Sequence, residues 1–530
     1  MGSSCTKRGV GSSEIRYERL VPRDGMKRAS VLPYVIVFIV IVALAFLLTW
    51  RILMNSNENL DYFRLDDPLF ATETDAYETN VEFSNASVRA KRYNETIFVK
   101  EAYLVSETQI RVLTVRKCIA PFEVRLLVSN STTMISFETR TDSTQECPWF
   151  FAPKCELLGH FVIADVPFAP KVLLQSSATS LMISRVGPNS QRYPLPLYDA
   201  RVPPGPRKHK LGVCLQPIAL YADWTQIITY MEAWISHGAT KFYFFVQLIS
   251  EEVEAIIQLY ERDQGISITR VPWPLFPIDG TTTADYAITA IDACILRSRS
   301  EVEFLALSDF DEIFVPMGDR SLIDLLWSMS HKHPLAGAFL FRSSYVVVQN
   351  QSDAITHPSK VSFDHFNKVL REPRVLKPGS MSKLIVRPGR VYKCHVHSVR
   401  QMEGTEYYTY IVPTTQALLY HIRLISPGNL RDLFEDNTLS RYAPLWQKQW
   451  QSRVADETAR LNDAPSGSLS LANTTWIDHG MEVMRAQEDC VDELRKRKYD
   501  TCNSHNKCFA KVFETVDCKW IFTPQSWIKL

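Results

Sequence analysis

The sequence predicts an α/β protein: a parallel-sheet domain, preceded by a β-rich accessory domain and a single transmembrane helix. Three observations carry this. From Leu211 to Leu307 extended apolar runs alternate with amphipathic helical ones, the pattern of a parallel sheet with crossover helices. Between Ile97 and Ser184 only short β-like runs occur. Val31 to Trp50 is an uncharged apolar run long enough, as a helix, to cross about 30 Å of hydrocarbon.

The chain has 530 residues, which implies two or three domains at roughly 100 to 200 residues each. With 59 basic against 58 acidic residues there is no global field for nucleic acid, and a nucleic-acid partner is disfavoured. The 30 residues before the apolar run carry Lys7, Arg8, Arg16, Arg19, Arg23, Lys27 and Arg28, so the positive-inside rule places the N-terminus in the cytosol. No A-x-A-like exit follows Leu47, which favours an uncleaved type II anchor over a signal peptide. The opening Met1-Gly2 with Ser3, Ser4, Cys5 and Thr6 also fits a myristoylation pattern with a palmitoylatable Cys5, although a spanning helix needs no lipid.

Ten of the 11 cysteines lie beyond the apolar run, an even number that permits full pairing in an oxidising lumen. Cys490, Cys502, Cys508 and Cys518 read as disulfides, since they lack the paired C-x2-C spacing of a zinc knuckle. Sequons at Asn85, Asn94, Asn130, Asn350 and Asn473 agree with a secretory route.

The resulting division is a cytosolic tail (1–30), the anchor (31–50), a polar stem (51–92), the β-rich domain (93–202), the α/β domain (211–425) and a cysteine-containing extension packed on it (426–530). The expected β-runs of the accessory domain are 97–104, 110–115, 122–128, 134–137, 161–166, 172–174 and 181–184. In the α/β domain Asp223 caps a helix whose stripe is Trp224, Ile227, Ile228, Met231, Trp234 and Ile235, and Gly238 ends it. Ser250 caps the next, with Glu251 and Glu252 where the helix dipole favours acid. A third helix runs from about Thr283 to Arg297, and Phe304 to Leu307 is the strand after it.

Ligands of parallel sheets bind beyond the carboxyl ends of the strands, and here the sequence reads Ser308-Asp309-Phe310-Asp311-Glu312. Two carboxylates spaced D-x-D in extended backbone face the same way and can share a divalent ion, which would neutralise a leaving nucleotide diphosphate; Phe310 then points into the core. A bare D-x-D arises by chance about once in a chain of this length. What distinguishes this one is its place after an apolar strand, with Glu312 as a third carboxylate.

The region from about Cys214 to Arg423 resembles glycosyltransferase family 92. The matching residues are the strand opening at Leu211 to Cys214, Trp224 with the helix to His237-Gly238-Ala239, Asp292 to Cys294, Asp309 to Glu312, Ser382 to Pro388, His395 to Val399, and Tyr420 to Arg423. The resemblance implies a GT-A fold in the α/β domain, manganese, and inverting transfer from a UDP-sugar, most often UDP-galactose, to a glycan in the Golgi lumen. Asp309 and Asp311 would touch the metal. His397 is the candidate for the remaining protein ligand, with His395 as the alternative; a strand histidine with a purely structural role is the competing reading. Lys383 and Arg387, and less so Arg390, are candidates for neutralising the donor diphosphate, against solvated basic residues on a strand edge. Trp224, Tyr243 and Trp273 are stacking candidates or core.

Inverting transfer needs a general base. Asp353, Asp364 and Glu403 follow the D-x-D block, and Asp364 leads, because Phe363 and His365-Phe366 beside it would raise its pKa. Two other classes of function compete: a lumenal glycan-binding protein on the same scaffold without turnover, and a metal-dependent lumenal hydrolase, for which no nucleophile or second metal motif is present.

Overall fold

The structure, a computed structural model, describes residues 96 to 530 apart from 118–122, 131, 143–156, 168–172, 175–178, 188–189, 275–282, 349–354, 424–431, 462–473, 497–503 and 524–526. The expected tail, anchor, stem and Asp353 lie outside the described residues. Among the described residues no helix is long and apolar enough to cross a membrane.

A seven-stranded sheet forms the centre of the α/β domain. Its order is Ser267–Pro272, Lys241–Val246, His209–Ile218, Val302–Ser308, Lys383–Val386, Ala336–Phe341 and Tyr408–Ile411. The first four strands are parallel, as the strand and helix alternation requires, and Lys383–Val386 runs antiparallel to both neighbours. Helices Trp224–Ser236, Glu251–Glu261 and Leu322–Lys332 share an apolar core on one face, and Thr283–Ser298 contributes to a second core. The expected caps are present: Asp223 accepts from the Gln226 amide at 2.8 Å and Ser250 from Val253 at 3.3 Å. Gly238 has φ +91, the left-handed conformation that a helix terminus of this kind needs.

A five-stranded sheet is built beside it in the order Glu312–Pro316, Ala417–Arg423, Ser343–Val347, Val369–Arg371, Phe434–Asp436. Consecutive strands Val302–Ser308 and Glu312–Pro316 thus belong to different sheets, so Phe310 and Asp311 form a turn rather than the extended backbone expected of the D-x-D. Phe310 anchors that turn, stacked on Tyr221 at 4.4 Å and edge-on to Tyr230 at 5.1 Å.

The accessory domain is two sheets around one core. Strands Phe98–Leu104, Gln109–Lys117, Val124–Ser129, Met134–Glu138, Leu157–Asp165 and Ser180–Arg185 answer to six of the expected runs, whereas Leu173 and Leu174 form no strand. The chain returns here at its end, since Ile528–Lys529 pairs with Phe98–Leu104, while Trp520–Phe522 pairs with Leu248–Ser250 of the α/β domain. The extension therefore touches both domains.

Cys214–Cys294 fastens the central strand to the helix behind it, and Cys490–Cys508 joins two C-terminal helices. Cys394 and Cys518 are free thiols, which corrects the expectation of full pairing; Cys394 is buried on the strand Val391–Cys394. Cys118, Cys147, Cys155 and Cys502 lie outside the described residues.

Ion pairs clamp the accessory domain to the α/β domain. Glu403 accepts from Arg111 of the accessory sheet at 2.7 and 2.8 Å and is also paired with Arg299; Lys393 meets Asp142 at 2.6 Å. Glu403 is thus a bridge between domains rather than an acceptor-side base. Burial would raise its carboxyl, but Arg111 and Arg299 outweigh burial and hold it below the usual range. Its contribution is therefore complete above the unfolded carboxyl pKa of about 4.3 and is lost as pH falls through the lower folded value. Glu403→Gln is expected to cost about 3 kcal/mol at pH 7, measured by denaturant unfolding, with the difference from wild type shrinking below about pH 4.

Candidate functional site

The turn Asp309 to Glu312 sits where the two sheets part, and pairing across strands decides what each carboxylate meets. Val302–Ser308 pairs antiparallel with Lys383–Val386, with Leu307 opposite Leu384, so Lys383 falls beside Asp309. The Lys383 ammonium bonds the Asp309 carboxylate and lies 3.4 Å from Glu312. Its side chain is only 1% exposed. Glu312 also accepts from the Asp309 amide at 3.2 Å.

On the other side Glu312–Pro316 pairs antiparallel with Ala417–Arg423, and the register sets Glu312 directly opposite His421. His421 Nε2 lies 2.9 Å from Asp311 Oδ2, and Arg423 donates to the same oxygen at 2.6 Å. The buried Nδ1 of His421 has no hydrogen-bond partner among the described residues. Burial pushes the Asp311 carboxyl up, yet His421, Arg423 and Lys383 more than offset it and hold the group ionised well below the ordinary carboxylate range.

Asp311, Glu312 and His421 place one ligand atom each within 4.8 Å of one another. Two carboxylates and an imidazole suit a borderline divalent cation, so these residues fit a metal in kind and in clustering. Asp309 is engaged by Lys383 instead of joining that group. His397 is also outside it. Its Nδ1 donates to the Ser382 carbonyl at 3.0 Å, leaving Nε2 as a lone pair, and burial together with the Lys383 charge lowers its pKa to about 3. His395, its neighbour at 6.4 Å between ring centroids, is lowered to about 4 by burial and by Arg400.

The other candidates are placed as follows. Lys383 is at the centre of the carboxylates. Arg387 pairs with Glu303 at 2.5 Å and Arg390 donates to the Ala336 carbonyl at 3.0 Å, both at the far end of the strands from the turn. Trp224, Tyr243 and Trp273 are fully buried core residues. Asp364 is exposed, bonded at 3.0 Å to Ser362.

Beside the turn opens a cleft of about 550 Å³. Tyr230, Phe310, Asp311 and Ile422 form its inner wall, His365 and Phe366 one side, and Asp223 with Trp476 and Asp478 the other. Asp364 is not among its lining residues.

Of the residues that cluster here, Glu312 is expected from the sequence only as a third carboxylate, and wholly outside the expected ligand set is His421, within the Tyr420 to Arg423 block. The signal was its position four residues from Ala417 on a buried strand, but its partner depends on a ladder closing more than 100 residues. Removing the ammonium with Lys383→Met leaves Asp309 and Glu312 facing each other in the interior and is expected to cost about 3 to 5 kcal/mol in denaturant unfolding. Arg387→Ala, at a partly exposed pair, should cost roughly 1 kcal/mol or less.

Residues 209–464 match the description Glycosyltransferase family 92. Two Caenorhabditis elegans proteins described as glycosyltransferase family 92 proteins are 23% identical over 225 residues and 19% identical over 228. Each match takes in 41% of this chain and 41% or 42% of the relative, so the chain spans about two-fifths of the length of the curated relatives it matches. Among solved structures, UDP-glucose pyrophosphorylase complexed with UDP-glucose is 8% identical at TM-score 0.20, over 46% of this chain and 99% of that one. The S. aureus TarS 1-349 structure is 9% identical at TM-score 0.22, over 60% and 98%. Likeness at that level says nothing further of fold or function. The Asp309 turn, Lys383 and the His421 strand all fall inside residues 209–464, the span that resembles glycosyltransferase family 92.

Proposed function

We propose that the chain is a metal-dependent inverting glycosyltransferase that moves a hexose, galactose from UDP-galactose, onto a glycan or glycoprotein acceptor. In this reading it is a single-pass type II protein of the Golgi membrane with its catalytic part in the lumen, and manganese is the cation. The observation that carries the reading is the Asp311, Glu312 and His421 group, of which Asp311 lines a cleft, within the span matched to the family.

Asp311, Glu312 and His421 would hold the cation, whose chemistry is to neutralise the charge that builds on the departing diphosphate. Asp311 is suited to this because its neighbours keep it ionised. Lys383 fixes Asp309 and Glu312 and so orients the turn, a role taken from inside the protein rather than from the donor. The mainly apolar inner wall formed by Tyr230, Phe310 and Ile422 excludes water from the reacting centre.

One observation favours a second reading, a glycan-binding protein without turnover: Lys383 and Arg423 already set positive charge against Asp309 and Asp311. The two separate in an assay of the purified full-length chain with a panel of UDP-sugars and manganese, following UDP release. The transferase reading expects release from UDP-galactose, abolished by chelator and lowered about 100-fold by Asp311→Asn. Release indifferent to both would remove the metal from the reading, and glycan binding with no turnover of any donor would establish the second reading.

A further inference from the structure

The carboxylates in and behind the cleft fall into two kinds. Asp311, which lines it, and Asp309 and Glu312 behind it each meet a cationic side chain. Among the described residues Asp223 and Asp478 do not: Asp223 accepts from the Gln226 amide at 2.8 Å, Asp478 from the Gly480 amide at 2.9 Å, and the Thr225 hydroxyl lies 2.9 and 3.1 Å from the two. A hydroxyl has one proton, so Thr225 can satisfy only one of these carboxylates at a time. The pair is close because Gly480 packs against Asp223; a Cβ at Gly480 would lie 2.4 Å from the Asp223 Cβ.

Both residues line the cleft that Asp311 also lines, and Asp478 is exposed to it. Tyr221 links the two ends. Its ring stacks on Phe310 and its hydroxyl, bonded to Gln226 at 2.7 Å, feels the charges of Asp223, Asp478 and Asp311 alike. Tyr230, 2% exposed, also lines the cleft.

We infer that Asp478, held by Thr225, the Gly480 amide and Asp223, is the acceptor-side base of the transfer, and that the cleft between it and Asp311 receives a sugar hydroxyl. This rests on the transferase reading above. The acceptor O–H gives its proton to an Asp478 carboxylate oxygen as that oxygen atom of the acceptor bonds the anomeric carbon of the donor. The bond from that carbon to the diphosphate breaks, and its electron pair leaves on the diphosphate oxygen. The surrounding protein and the neighbouring Asp223 charge raise the Asp478 carboxyl to about 8, so it is the ionised form, favoured as pH rises, that takes the acceptor proton and then holds it more firmly than an ordinary carboxylate would. Trp476, edge-on to the buried Trp224 at 4.9 Å, fixes the segment that carries Asp478. That segment lies beyond residue 464, outside the span matched to the family, so this wall is contributed by the C-terminal extension.

The test needs no knowledge of the natural acceptor. Water must lose a proton to attack the donor, whereas azide, already an anion, has none to lose. With the purified full-length chain, UDP-galactose and manganese, Asp478→Ala and the isosteric Asp478→Asn should lower hydrolysis about 100-fold while galactosyl azide forms at near the wild-type rate. Hydrolysis unchanged in both variants overturns the assignment, as does equal loss of hydrolysis and azide transfer in Asp478→Asn, the mark of a structural role. A wild-type chain that turns over no donor overturns the transferase reading and this inference with it, while an active wild type with insensitive variants overturns this inference alone.

Discussion

The site depends on one interaction above the others, the buried Lys383 ammonium set between Asp309 and Glu312. Two sheets diverge at this point, and the turn joining them carries three carboxylates in four residues. Without a cation inside, their repulsion and desolvation would favour another path for the chain. Lys383 is the first residue of a strand that runs antiparallel to the parallel part of the sheet, and it therefore sits at the carboxyl ends where the turn lies. The antiparallel insertion in a parallel sheet is therefore tied to the chemistry and not only to topology.

That arrangement also explains why the aspartates of the D-x-D do different things. An extended D-x-D would aim both carboxylates at one ion. In the turn they separate, Asp309 to Lys383 and Asp311 to His421 and Arg423, and the third member of the cation-capable group becomes Glu312, placed opposite His421 by the ladder register. A slip of one residue in that ladder would turn His421 to the other face and dissolve the group. Burial of Phe310 between Tyr221 and Tyr230 pins the turn from the side opposite the charges.

Local signals were legible in the sequence because local physics sets them. The caps at Asp223 and Ser250, the glycine stop at Gly238, the alternation of strand and helix and the place of Asp309 to Glu312 after Leu307 all follow from windows of a few residues. The readings that shifted depend on distant partners. His421 was passed over for His397 since nothing near either one tells which strand will lie beside the turn. Glu403 looked like a loop acid until Arg111 and Arg299 came to it from 292 and 104 residues away. Trp224 and Trp273 were ambiguous between platform and core because periodicity reports that a face is apolar and not what covers it; here Trp476 and Trp527 do.

The two kinds of acid in the cleft give it a direction. His421, Arg423 and Lys383 keep the Asp311 carboxylate ionised, as holding a cation would require. A carboxylate pair held only by amides and one shared hydroxyl has its charge destabilised and so tends to keep a proton. One side of the cleft is thereby suited to hold fixed charge and another to exchange protons, with Phe310, stacked on Tyr221, on its wall. Separation of those two tasks requires walls of different origin. The Glu312 and His421 ladder supplies one from inside the sheet, and the segment around Asp478, returning from beyond the α/β domain to pack Gly480 on the cap residue Asp223, supplies the other.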